Sequence, residues 1–248
     1  MTLFKGLSEQ GLEQAQDRLG GFQPLNTNIY PATIRAAYAG KSSGGAVSVT
    51  ILADAGGREY RETIYVTNKN GENFFYNPQD KSKKVPLPGF TIINDICLIA
   101  AEKPLSQMDT EEKVINVYDP EQKKEMPKPV QMLTDLIGKT VALGIVRQLE
   151  NKTEKNNEGV YVPVADTREN NFTEKVFHPE LKLTVVEATN GKEKPEFWDS
   201  WLERNKDQIR DKRTIKDGQA GAKGAPKAAP QASSAAPAGR PSLFGGKK

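Results

Sequence analysis

Apolar and polar residues alternate along three successive stretches, residues 29–38, 46–53 and 58–67. Ile34, Ala36 and Tyr38 mark the first, Val47, Val49 and Ile51 the second, and Tyr60, Ile64 and Val66 the third. A period of two is that of a half-buried strand. The breaks, Lys41-Ser42-Ser43-Gly44-Gly45 and Asp54-Ala55-Gly56-Gly57, are turn sequences. The pattern predicts a three-stranded antiparallel meander. After a polar excursion over 68–88 the period changes, and Ile93, Ile96, Cys97 and Ala100 predict a buried helix over 90–101. Alternation returns over 139–149 with Val141, Leu143 and Ile145, and over 176–188 with Leu181, Leu183 and Val185, giving two more strands. Between helix and strands, 103–128 reads as charged and irregular with a short strand at 114–118, and 130–136 as a helical turn. Residues 151–171 read as an exposed hairpin or loop.

Five strands with a helix between the third and fourth is the layout of an oligonucleotide-binding barrel, which other small barrels share. The chain therefore reads as mainly β: a five-stranded OB-fold barrel over 26–192 with an inserted helix and loops. A helical segment lies within 1–25, where Leu12, Ala15 and Leu19 recur at helical spacing. An amphipathic helix over 193–215 carries Phe197, Trp198, Trp201, Leu202 and Ile209. Burial of Trp198 and Trp201 against the barrel, or against a second copy in a homodimer, accounts for them better than base stacking. From 216 to 248 the chain is Ala, Gly, Pro, Ser, Gln and Lys with almost nothing to bury, and composition predicts a disordered tail.

Composition narrows the chemistry. Mean hydropathy is −0.63, in keeping with a partly unpacked chain. The net charge of +3 is small for a duplex binder, so any nucleic-acid site must come from local clustering. With one cysteine, Cys97, neither a disulfide nor a cysteine metal cluster forms within the chain. With one histidine, His178 before Pro179, a nucleophile would have only that base, and a loop histidine is the simpler reading. Glycine pairs sit at turns without a phosphate-loop signature, and paired acids such as Glu111-Glu112 lie among lysines as a solvated face. The reading is a non-catalytic protein without cofactor or metal, with no secretory signal and no segment to span a membrane.

Basic and aromatic residues gather in the meander and the excursion. Arg35, Lys41, Arg61 and Tyr65 precede the triplet Phe74-Phe75-Tyr76, which is followed by Lys81, Lys83 and Lys84. Single-strand binders need this mixture, since unpaired bases stack on aromatic faces while cations follow the phosphates. Alternation places Tyr60 inward, and Arg61 and Tyr65 on the other face; at least one ring of the triplet is expected to be buried. Arg147, with Lys139, Lys152 and Lys155, forms a second basic group interleaved with acids. Near the end of the tail, Leu243-Phe244 suits a short docking motif. The runner-up reading is a scaffold whose barrel binds protein.

Several long segments resemble the single-stranded-DNA-binding, helix-destabilising proteins of short-tailed bacteriophages. They are SGGAVSVTILADAGGREYRETIYVTN, NFFYNP with the later LPGF, EEKVINVYDPEQKKEMPKPVQMLTDLIGKTVALGIVRQ, and KVFHPELKLTVVEA, within residues 25–215. The resemblance implies a barrel that coats template strands during phage DNA replication, recombination and repair in the cytoplasm of the infected bacterium. It places Arg35, Arg61, Tyr65, Phe75, Tyr76 and Lys81 on the binding face. It also implies that the tail contacts replication proteins such as the polymerase or helicase-primase. Tails of that family end in acids followed by an aromatic; here Asp217 is the only acid after residue 216. A tail with this charge adds attraction to phosphates instead of competing with them.

Overall fold

The computed structural model describes residues 23–119, 122, 124–157 and 159–215. The helix expected within 1–25 and the tail from 216, with Leu243 and Phe244, lie outside the described residues.

Strands β1 (Asn28–Lys41), β2 (Val47–Ala55) and β3 (Arg58–Tyr65) form the expected antiparallel meander. Val49, Ile51, Ala53, Tyr60 and Ile64 point into the core, as the alternation requires. The register slips between Ile34 and Ala36, so Ala37 rather than Ala36 enters the core. Such a bulge turns over every later side chain of the strand, and it sets Tyr38 and Gly40 on the outer face.

Beyond β3 the chain makes a separate ribbon of β4 (Phe74–Tyr76) and β5 (Lys84–Pro86), then helix α1 (Pro88–Ala100). Pro88 stands in the first turn, where its missing N–H costs nothing. Ile92, Ile93, Ile96, Cys97 and Ile99 of α1 are buried in one cluster with Ile34, Ile51 and Leu143. At Gly89 the helix meets the end of β3 so closely that a Cβ would stand 2.2 Å from the Tyr65 carbonyl oxygen. Backbone cannot yield as a flexible side chain does. Gly89→Ala is therefore expected to cost roughly 1–3 kcal/mol of stability through overpacking. A urea midpoint equal to that of the parent would contradict this.

A hairpin of β6 (Glu111–Asp119) and β7 (Lys124–Met132) follows; among the described residues its ladder to the main sheet is the pairing of Tyr38 and Ala39 with Met132 and Gln131. β8 (Thr140–Lys155) then pairs with β1 along Thr140–Ile145 and with β9 (Tyr161–Phe177) from Ala142 to Lys155. The sheet order is thus β3-β2-β1-β8-β9, with β7 on the free part of β1 and β10 (Ile209–Asp211) parallel to β8.

No ladder joins β3 to β9, and the described residues form no closed barrel. Side chains cross that seam instead. Tyr60 donates its hydroxyl hydrogen to Glu62 Oε2 at 2.8 Å and lies 3.1 Å from Thr173 Oγ1, while the Thr173 N–H donates to the same Glu62 oxygen at 2.9 Å. Burial raises the pKa of both groups, that of the Tyr60 phenol strongly.

Several expected elements differ. Residues 124–132 are strand; Pro127 and Pro129 are tolerated because β7 is an edge strand there. Only 134–136 form a helical turn. The strand expected over 176–188 ends at Phe177. Helix α2 (Val185–Thr189) follows, because Thr184 and Glu187 form a reciprocal capping box. The helix expected over 193–215 is α3 (Glu196–Asn205), ended by Asp207 in the left-handed region at φ 59°. α3 lies across the outer face of β8 and β9, where Trp201 is 4% exposed among Ile29, Ala142, Val146 and Phe177.

Candidate nucleic-acid interface

Directly paired residues of an antiparallel sheet share a face. Three cross-strand rows follow on the side of the meander away from the core: Gly40–Ser48–Tyr65, Tyr38–Thr50–Thr63 and Ala36–Leu52–Arg61. The centre of this face is small and hydroxylic, with Thr50 Oγ1 2.9 Å from Thr63 Oγ1. Its β3 margin is tall. Tyr65 is 51% exposed, and Arg61 extends its guanidinium to donate to the Tyr38 hydroxyl at 3.2 Å. That bond explains how a tyrosine on the outer face comes to be buried.

The ribbon springs from the same end of the sheet. Val66 and Thr67 donate to the Val47 carbonyl, and α1 returns against Tyr65. On the ribbon Phe74, Tyr76 and Lys84 share a face. Phe74 meets Tyr76 edge-on, with centroids 5.5 Å apart, and carries Lys84 Nζ 4.1 Å over its ring. None of the three aromatics is buried, contrary to the expectation for at least one. Phe74 and Phe75 are half-buried, and Tyr76 is 52% exposed. The ribbon's own cross-strand partners shield Phe74, so a core place is not required.

The connecting loop is held by its own polar groups. Asp80 accepts from the Ser82 hydroxyl at 2.6 Å and pairs with Lys83 at 3.2 Å, contacts that lower its pKa. Tyr76, Asn77, Pro78 and Lys81 line an open notch beside it. An aromatic ring and an ammonium flanking an open notch can take a base and its phosphate.

The remaining predicted site residues divide. Arg35 lies exposed at the bulge, paired with Asp54 at 2.8 Å. Lys41 ends β1, beside the hairpin that leads into β2. Arg147 is not brought to this face. It is half-buried on β8, where its Nε donates to Glu169 at 2.8 Å and Nη1 to Asn26 at 3.2 Å. Those bonds give it a structural occupation.

A crevice at the β3–β9 seam, lined by Gln23, Leu25, Arg58, Arg61, Asn170 and Asn171, was not legible in the sequence. Its two walls lie more than a hundred positions apart, and no local spacing signals their meeting. Among the described residues, no three of His, Cys, Asp and Glu gather as metal ligands. His178 Nδ1 accepts the backbone N–H groups of Glu180 and Leu181 at 3.2 and 3.1 Å, closing a turn. Cys97 is fully buried and its thiol is pushed up to about 12, which makes it inert.

No family model matches this chain, and no curated protein matches it in sequence. Among the described residues, no helix is long and apolar enough to cross a membrane.

Proposed function

We propose that the chain is a non-catalytic binder of single-stranded DNA built on a five-stranded oligonucleotide-binding barrel of β1, β2, β3, β8 and β9. The strand order β3-β2-β1-β8-β9, with α1 between β3 and β8, supports the fold. One observation carries the function: exposed Tyr65 and Arg61 rim a flat hydroxylic face, and the ribbon that follows Tyr65 in the chain carries the Tyr76–Lys81 notch. Bases stack on Tyr65 and Tyr76, while Arg61, Lys41, Lys81 and Lys84 follow the phosphates. Such contacts tolerate any sequence and weaken with salt.

On this reading the protein serves replication, recombination and repair of phage DNA in the host cytoplasm. Leu243 and Phe244 reach a polymerase or helicase-primase from the tail.

The test is a fluorescence titration with poly-dT at low and high salt, with a duplex of equal length as control. Salt-sensitive binding of the single strand is expected, with much weaker duplex binding. Tyr65→Ala should weaken it roughly tenfold or more, the loss of one stacked base at about 1–3 kcal/mol. No binding of poly-dT at low salt would sink the proposal and leave a protein-binding barrel.

A further inference from the structure

The crevice at the β3–β9 seam is a cavity of about 280 Å³. That is small for a drug-sized ligand and suits one flat ring system. No ladder joins the two strands there. Asn171 spans the gap instead, its Oδ1 accepting the Leu25 N–H at 2.7 Å and its Nδ2 donating to the Leu25 carbonyl at 2.8 Å. Both ends of that amide are spent. Asn170 beside it differs. Its Nδ2 donates to Glu150 at 2.9 Å, but its Oδ1 is buried with no hydrogen-bond partner. Native proteins keep few buried acceptors in that state, and a ligand that donates to one removes its cost.

The other wall carries charge of both signs. Arg58 donates to the Gln23 carbonyl and Arg61 to the Tyr38 hydroxyl, and each guanidinium has further N–H groups to offer. Glu59 stands exposed between them. A bare phosphate would be repelled by that carboxylate. The edge of a nucleobase suits the mixture, because it brings donors and acceptors together. Asn170 Oδ1 and Glu59 only accept, while Arg58 and Arg61 only donate. Their complement is an amino group beside a ring acceptor, which cytosine and adenine present on their pairing edge. Thymine carries a carbonyl in place of the amino group. Arg61 also links the crevice to the outer face, where it meets Tyr38, so a strand lying past Tyr65 and Arg61 reaches the crevice mouth.

We propose that this crevice reads one nucleobase of the bound strand, taking cytosine or adenine in preference to thymine, with Asn170 Oδ1 and the Glu59 carboxylate accepting from its amino group. The proposal rests on the single-strand reading above. It adds a preference at one nucleotide to a face that otherwise tolerates any sequence. Because Asn170 Oδ1 is closed from water, the base enters as β3 and β9 part, at a seam with no ladder to break.

Fluorescence titration of the full chain with oligo-dC and oligo-dU of equal length tests the pocket. Uracil differs from cytosine only by a carbonyl and a ring N–H in place of the amino group and the ring acceptor. Stacking and phosphate contacts therefore stay nearly equal. The dC strand is expected to bind roughly three- to tenfold more tightly, the worth of about one hydrogen bond. Asn170→Ala should bring the two affinities together. Should that variant lose its fold by circular dichroism, Glu59→Ala, at an exposed position, should shrink the ratio in the same way. Equal affinities for dC and dU in the parent, or a dC preference that survives these substitutions, would overturn the pocket and leave single-strand binding standing. Failure to bind either strand at low salt would remove the single-strand reading itself, and the pocket with it.

Discussion

Trp201→Ala is expected to lower the unfolding free energy by about 3–5 kcal/mol, the range for truncating a buried large aromatic side chain. The indole fills the space between α3 and the sheet, with its ring atoms 3.2–3.3 Å from where a Cβ on Gly144 would stand. Its N–H donates to Glu174 Oε2 at 2.9 Å, and the other oxygen of that carboxylate pairs with Arg210 of β10 at 2.5 Å. Removing the ring therefore opens a cavity and also frees one side of the link that ties β10 to β9. Urea unfolding followed by circular dichroism measures the loss. Trp198→Ala should cost less, because Trp198 is only half-buried and meets Phe177 edge-on at 5.1 Å. Equal losses for the two would show that the helix is not held by Trp201.

Asp95→Asn is expected to stabilise the protein at neutral pH by about 3 kcal/mol. Asp95 lies on the buried side of α1, its Oδ2 has no hydrogen-bond partner, and Lys175 Nζ stands 3.8 Å away. Burial raises its pKa from 3.8 to about 6, with Lys175 opposing the rise only in part. Below pH 4 the carboxyl is protonated in both the folded and the unfolded chain, and its ionisation costs nothing. Between about pH 4 and 6 the folded chain retains a proton that the unfolded chain has lost, so stability falls as pH rises. Above 6 the full difference, about 1.36 kcal/mol per pKa unit, stands against the fold. The asparagine carries no such charge. Urea midpoints of parent and variant should agree near pH 4 and diverge up to pH 7, the variant being the more stable. A parent that gains stability relative to the variant over that range would contradict the assignment.

The sequence carried the meander and α1 because a single face decides both. Val49, Ile51, Tyr60 and Ile64 alternate into one core, and Ile93, Ile96 and Cys97 recur along one side of a helix. Residues 176–188 misled for the same reason. Leu181, Leu183 and Val185 alternate, yet Thr184 and Glu187 cap a helix in their midst, and the Thr-x-x-Glu spacing could have been read as that signal. β7 was hidden by Lys and Pro, residues that disfavour a central strand but suit an edge. Of the candidate site, Arg61 and Tyr65 were legible from alternation, since β3 keeps its register from end to end. The exposure of Tyr76 was not, because it depends on a ribbon whose two strands are separated by a seven-residue loop. Nor was the occupation of Arg147, whose partners Asn26 and Glu169 come from distant segments.

The seam between β3 and β9 gives the molecule a direction of least resistance. Everywhere else in the main sheet, neighbouring strands part only by breaking a backbone ladder. Here Tyr60, Glu62 and Thr173 supply the polar links, and two of the three converge on one carboxylate oxygen. Parting β3 from β9 unmakes a small polar knot and leaves every ladder whole, so the fold behaves less as a ring than as a clasp. Thermal breathing is expected to concentrate there, beside the crevice that carries Arg58 and Arg61.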